Sequence, residues 1–170
     1  CHVKATGARI YPDVRVISFT GHTDTGVEIS TRAAATLKRV SLELGGKNPI
    51  VVWEDADLDL ALDSAIWSAF GTSGQRCTAA SRLIVHRKVH DQFVDALQQR
   101  VGALVLGDGL DEGTDVGPVI NDKAVERIAA YAAIGRGEAD LVIGGEPATA
   151  GALAKGSFFQ PTIFTEVKPD

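Results

Sequence analysis

Strand-like and helix-like segments alternate from end to end of these 170 residues, which predicts an α/β fold with largely parallel strands. Two observations carry that reading. Short β-branched runs such as Val14–Thr20 and Pro49–Trp53 are bounded by Gly, Pro or Asp, as buried strands are. Between such runs lie longer stretches whose apolar residues recur at helical spacing, as in Leu58, Leu62, Ala65, Ile66, Ala69 and Phe70. With 45% apolar and 23% charged residues, the chain has an ordinary globular composition and enough length for a sizeable core.

Residues 1–13 carry no sustained periodicity, and Pro12-Asp13 reads as a turn. Val14–Thr20 is a strand ended by Gly21, after which Asp24 or Thr25 caps a helix running from about Gly26 to Lys38. Lys38 and Arg39 then stand at the negative end of that helix's dipole. Val40–Leu44 alternates with period two and stops at Gly45-Gly46, where a domain boundary is expected, and Pro49–Trp53 is the next strand. Asp55 and Asp57 supply caps for a helix that Gly71 stops, and Phe70–Ala79 follows as a loop. Ser81–His86 is a strand, and His90–Leu104 is a helix with Phe93, Leu97, Val101 and Leu104 on one side. After the Gly/Asp-rich connection Gly107–Pro118, Asn121 or Asp122 caps a helix with Val125, Ile128 and Ala132 inward, ending near Gly135–Gly137. Leu141–Ile143 is a strand, Pro147–Gly156 a small-residue loop and Phe158–Phe164 the last strand.

A net charge of -5 without a Lys/Arg cluster argues against nucleic acid or an anionic membrane as partner. No apolar run approaches about 18 residues, and no signal-peptide layout opens the chain, so a non-secreted, cytoplasmic protein is expected. Two cysteines, Cys1 and Cys77, make no disulfide framework, which suits a reducing compartment. His2, His22, His86 and His90 show no metal-ligand spacing, so no metal site is predicted. Asp55, Asp57, Asp59 and Asp63 read as caps and a solvated helix face, and Trp53 and Trp67 as core or cleft-wall residues. With no Met anywhere and an opening on Cys1-His2-Val3, the chain is expected to be a segment of a longer protein.

Three stretches could carry chemistry. In Phe19–Gly26 a strand runs into Gly21 and a helix opens near Gly26, placing unpaired helix N–H groups where a phosphate could rest. A plain strand-to-helix turn is the alternative, and the favoured one for this stretch alone. In Leu42–Lys47, Glu43 alternates with leucines. It is either a solvated strand residue or a sheltered carboxylate able to act as a general base. In Phe70–Ala79, Cys77 follows small and polar residues, with Gly74 and Arg76 beside it, at a point where the chain must turn. Nucleophile and packing residue are evenly matched readings of that local context.

Together and in this order, the three stretches resemble motifs of the aldehyde dehydrogenase superfamily. Phe19–Gly26 is similar to its F-T-G-S-T-x-x-G cofactor turn, Leu42–Lys47 to its L-E-L-G-G-K motif, and Phe70–Cys77 to its F-x-x-x-G-Q-x-C motif. Asp115-Val-Gly-Pro118 and Phe159–Phe164 extend the resemblance over nearly the whole chain from about Pro12. Two positions depart from it: His22 stands where the family most often has Ser, and Thr72 where many members have Asn.

The resemblance implies a catalytic domain like that of the family over residues 46–170, preceded in residues 1–45 by the last part of a Rossmann-like cofactor domain. It implies Cys77 as nucleophile, Glu43 as general base, and Gly21, His22, Gly26 and Leu44 as binding residues for NAD or NADP. The implied reaction is oxidation of an aldehyde to a carboxylic acid through a cysteine thiohemiacetal and thioester. The parent protein would be a homo-oligomer, and the 170 residues alone inactive. Competing expectations are a cofactor-independent thiol esterase or acyl-transfer enzyme, and a non-catalytic module of the same fold.

Overall fold

The computed structural model describes residues 10–168, so Cys1 and His2 lie outside the described residues. The described chain contains six strands and four α-helices and divides into two compact units, one ending at Gly46 and the other beginning at Lys47.

The first unit is a single parallel crossover: β1 (Val16–Gly21), α1 (Thr23–Ala34) and β2 (Arg39–Leu44). The strands pair in unbroken register from Val16 opposite Arg39 to Gly21 opposite Leu44. Parallel neighbours need a long connection, and α1 provides it, burying Gly26, Ile29 and Ala33 on the face towards the strands. Both ends of α1 differ from the sequence expectation. His22 is the cap, not Asp24 or Thr25: its backbone is extended and its ring Nδ1 accepts the Asp24 N–H at 3.3 Å. A ring nitrogen can serve this position because it offers the acceptor that the first helical turn lacks. The helix also stops at Ala34, so Lys38 does not face its dipole. Instead Lys38 Nζ donates to the carbonyls of Tyr11, Pro12 and Val14 at 3.0, 2.8 and 2.5 Å, and Arg39 opens β2. Arg32 is the cation in the last turn of α1, paired with Glu28 one turn back.

The second unit begins with another parallel crossover, β3 (Asn48–Val52), α2 (Leu58–Phe70) and β4 (Ala80–Val85). Its register slips between Asn48, opposite Ala80, and Pro49, opposite Arg82. Proline has no N–H for the ladder, and an irregularity of this kind accommodates it. Asp57 caps α2 as expected, its Oδ1 accepting the Leu60 N–H at 3.1 Å. α3 (His90–Gly102) lays Phe93, Leu97 and Val101 against Leu62 and Ala65 of α2 and Val52 of β3, and Phe93 is wholly buried. Outside that core, Arg100 of α3 binds both Asp59 and Asp63 of α2.

α4 (Asp122–Glu138) is capped by Asn121, whose Oδ1 accepts the Ala124 N–H at 3.0 Å. It continues through Gly135 and Gly137, where the sequence reading ended it. Gly135 is there for close approach: a Cβ would stand 2.7 Å from the Phe164 ring. β5 (Asp140–Ile143) and β6 (Ile163–Thr165) pair antiparallel, the exception to the parallel pattern: the connection between them holds a short 3-10 turn at Gly151–Lys155 and no α-helical crossover. The expected strand Phe158–Phe164 narrows to β6, and Phe159 makes only an isolated bridge to Pro147. Trp53 and Trp67 are not core residues: both are more than half exposed, although Trp67 lines a hollow of about 210 Å³ with Ile66, Phe70 and Leu104. No described helix is long and apolar enough to cross a membrane.

Candidate active site

In the first unit the parallel register makes Gly21 and Leu44 the last residues of adjacent strands, and sets Glu43 opposite Thr20. Ligands of α/β crossovers gather at the carboxyl ends of the strands. Gly26 comes to the same end: a Cβ there would lie 2.8 and 3.1 Å from the two δ carbons of Leu44. The glycine therefore has a packing reason, with α1 drawn close onto the end of β2. Gly21, His22, Gly26, Glu43 and Leu44 are thus gathered around one strand end and one helix N-terminus. That combination suits a dinucleotide phosphate, since first-turn N–H groups and the positive end of the α1 dipole face the same end as the strand termini.

Two side chains behave in ways the sequence did not specify. Glu43 is exposed between half-buried Leu42 and Leu44, which is the solvated-face arrangement of a strand. His22 uses Nδ1 as the acceptor that caps α1, so in the neutral ring Nε2 carries the proton and is the nitrogen able to donate outward. Asp24 Oδ2, 3.6 Å from the same Nδ1, competes for it only when the ring is protonated.

Cys77 belongs to the second unit, where it is a free and exposed thiol. The chain reaches it by an uncommon route. After α2, Thr72, Ser73 and Gly74 take φ of 51°, 55° and 65°, three successive residues in the left-handed region. Only glycine fits at position 74, because a Cβ would stand 2.6 Å from the Ala69 carbonyl oxygen. Thr72 and Ser73 hold the same conformation despite their side chains, and a network of bonds keeps them there. Thr72 Oγ1 donates to the Gly71 carbonyl at 2.7 Å, and Ser73 Oγ to the carbonyls of Gly117 and Pro118 at 2.8 and 3.3 Å.

Beyond the turn the anchoring continues. Gln75 Oε1 accepts the Ile120 N–H at 3.0 Å. Arg76 donates to the Trp67 carbonyl at 3.0 Å and lays its guanidinium 3.8 Å over the Trp67 ring, leaving its Nε buried without a hydrogen-bond partner. This cation, adjacent in sequence to the thiol, is thus engaged with α2. Asn48 Nδ2 donates to the carbonyls of Cys77 and Ala79 at 2.8 and 3.1 Å, and Ser68 Oγ accepts the Ala80 N–H at 3.1 Å. The result is an exposed thiol on a backbone held before and after it.

Asn48, Ser68 and Ser73 have no part in the sequence expectation, and only Asn48 carries a usable signal; Gln75 stands in the F-x-x-x-G-Q-x-C motif, which does not tell that it holds Ile120. Asn48 is a polar residue at a strand start, immediately before a proline that cannot donate to the ladder. Among the described residues, no group of three or more His, Cys, Asp or Glu side chains is placed to hold a metal ion.

The model of the aldehyde dehydrogenase family matches residues 5–170. The chain is 45% identical over 161 residues to an aldehyde dehydrogenase of Monascus ruber, covering 94% of this chain and 32% of that protein. It is 45% identical over 158 residues to the NADP(+) succinate-semialdehyde dehydrogenase of Escherichia coli, covering 92% and 32%. Among solved structures, betaine aldehyde dehydrogenase of Staphylococcus aureus in complex with NAD+ superposes with a TM-score of 0.90 at 37% identity, covering 93% of this chain and 32% of that one. The chain spans about a third of the length of the curated relatives it matches.

Proposed function

Because the chain belongs to the aldehyde dehydrogenase family, we propose that it carries the nucleophile, the general base and part of the cofactor site of an NAD(P)-dependent enzyme that oxidises an aldehyde to a carboxylic acid. The observation that carries the reading is Cys77 itself: a free, exposed thiol on a firmly held loop, at the cysteine of the family's motif. Residues up to 45 form the end of the cofactor domain in this reading, and residues from 46 onward the nucleophile-bearing domain. A betaine aldehyde dehydrogenase of Staphylococcus aureus at 37% identity has a cysteine seen both BME-modified and BME-free, which supports a reactive thiol in a relative of this chain.

The chain's own residues account for the following steps. The Cys77 thiolate attacks the aldehyde carbon, forming a C–S bond while the carbonyl π electrons move to oxygen. The Cys77 backbone N–H is a donor available to that oxyanion. Gly21, His22, Gly26 and Leu44 hold NAD or NADP, which when bound supplies the acceptor for the hydride that leaves this carbon. A thioester on Cys77 remains. Glu43 takes a proton from water, the resulting hydroxide adds to the thioester carbon, and the Cys77 thiolate departs as the carboxylic acid is released. Exposure of Glu43 suits a base that must meet water, and its pairing opposite Thr20, in the same unit as the proposed cofactor turn, supports the reading. A homo-oligomeric cytoplasmic enzyme completes the proposal.

The test uses the full-length protein with an aldehyde and NAD+ or NADP+. Cys77→Ala is expected to lower turnover by at least about a thousandfold, and unchanged dehydrogenase activity would overturn the reading. Glu43→Gln is expected to release about one equivalent of reduced cofactor per site and then stall, because acylation no longer leads to hydrolysis. Steady turnover in that variant would remove Glu43 from the role of base. A chromogenic ester assayed with and without cofactor separates this enzyme from a thiol esterase.

A further inference from the structure

Asn48 joins the start of β3 to the peptide that carries the thiol. Its amide nitrogen has two protons, and both are used: one towards the Cys77 carbonyl at 2.8 Å, one towards the Ala79 carbonyl at 3.1 Å. Backbone ladder bonds cannot do this work here, because Pro49 has no N–H and the β3–β4 register slips at this point. The other anchors of the loop act at a distance from the thiol. Ser73 and Gln75 fix residues ahead of it, and Arg76 is bound to Trp67. Among the hydrogen bonds of the described residues, only the one from Asn48 reaches the Cys77 peptide itself through a side chain.

We propose that Asn48 is a positioning residue for the Cys77 nucleophile, acting by holding the Cys77 and Ala79 carbonyls with its single side-chain amide; the inference rests on the reading of Cys77 as nucleophile. Fixing the Cys77 carbonyl sets the plane of the peptide that follows the thiol-bearing Cα, and restricts the Cys77 ψ and with it the backbone frame from which Sγ projects. Attack on a carbonyl tolerates little error, so a thiol free to wander loses rate without losing cofactor affinity. A glycine or alanine at position 48 would leave both carbonyls to water. An isosteric apolar residue would also lose the tie, while a hydroxyl could keep one of the two bonds.

The experiment compares Asn48→Leu, which keeps the shape and removes the donor, with Asn48→Ser, which keeps one donor, in the full-length enzyme. Three quantities are read: kcat and KM for aldehyde and for cofactor, the second-order rate of Cys77 alkylation by iodoacetamide, and the melting temperature. Asn48→Leu is expected to lower kcat by about 10- to 100-fold, change the alkylation rate, and leave the cofactor KM within about twofold. Asn48→Ser is expected to recover part of the kcat. An unchanged kcat and alkylation rate in Asn48→Leu overturns the inference. So does a pair of variants that lose activity only in proportion to unfolded protein, with Ser no better than Leu. If Asn48→Leu does not fold, Asn48→Ala takes its place under the same criteria. Cys77→Ala run in parallel separates the two claims. If it stays active, the nucleophile assignment fails; if it is inactive while Asn48→Leu keeps its kcat, only the role of Asn48 fails.

Discussion

At Gly74 the backbone lies at φ 65° and a Cβ would stand 2.6 Å from a backbone oxygen, whereas at Gly26 a Cβ would meet only the side-chain ends of Leu44 and Leu42. The first obstacle is fixed by the chain and the second can rotate away. Gly74→Ala is therefore expected to destabilise the protein by about 1–3 kcal/mol, and Gly26→Ala by less, since Ala also favours a helix by about 0.5–1 kcal/mol over Gly. Denaturant midpoints of the two variants check this, and a larger loss at Gly26 would contradict the assignment. Both glycines stand in the motifs that drew attention to them, but nothing local distinguishes a conformational glycine from a packing glycine. The difference lies in Ala69 in one case and Leu44 in the other. Cys77, Glu43 and the glycines were legible as candidates from their motifs. The bonds that hold the Cys77 loop are not: Asn48 and Ser73 are ordinary polar residues until the fold brings carbonyls to them, and Gln75, although a motif residue, meets the Ile120 N–H only in the fold.

Helix caps illustrate what is readable at the scale of elements. Asp57 and Asn121 each stand just before an apolar-periodic stretch, and each accepts the backbone N–H three residues on. Asp57→Ala is expected to cost about 1 kcal/mol and Asp57→Asn only a few tenths, measured as shifts in thermal or denaturant midpoint; equal losses would mean that the charge, not the cap, matters. The start of α1 differs from the expectation because its cap is a histidine, a residue with weak cap preference beside the stronger formers Asp24 and Thr25. α4 was cut short because glycine usually ends helices, while Gly135 serves contact with Phe164. The inward face of α3 was read from its spacing, and its central residue bears the most weight. Phe93, wholly buried among Val52, Leu62 and Ala65, is expected to cost about 3–5 kcal/mol as Phe93→Ala. A loss below about 1 kcal/mol in equilibrium unfolding would be inconsistent with that packing.

For the whole molecule, the decisive fact is coverage: the chain matches the family over residues 5–170 while spanning 32% of a relative's length. Taken alone, these 170 residues are expected to show no NAD(P)-dependent turnover of aldehydes, and steady reduction of NAD+ or NADP+ by the isolated polypeptide would refute that. The sequence by itself determined the alternation of strands and helices, the cap positions to within a residue or two at Asp55 or Asp57 and at Asn121 or Asp122, the buried stripe of α3 and the loop around Cys77. Each of these follows from spacing and local backbone preference within a few residues. Only the tertiary structure decided that Lys38 closes onto the Tyr11, Pro12 and Val14 carbonyls, that β5 and β6 run antiparallel, and that Asn48 holds the thiol-bearing loop. The physical reason is separation along the chain: the Lys38 bonds join residues 24 to 27 positions apart and the Asn48 bond to Cys77 spans 29, so no local pattern records them.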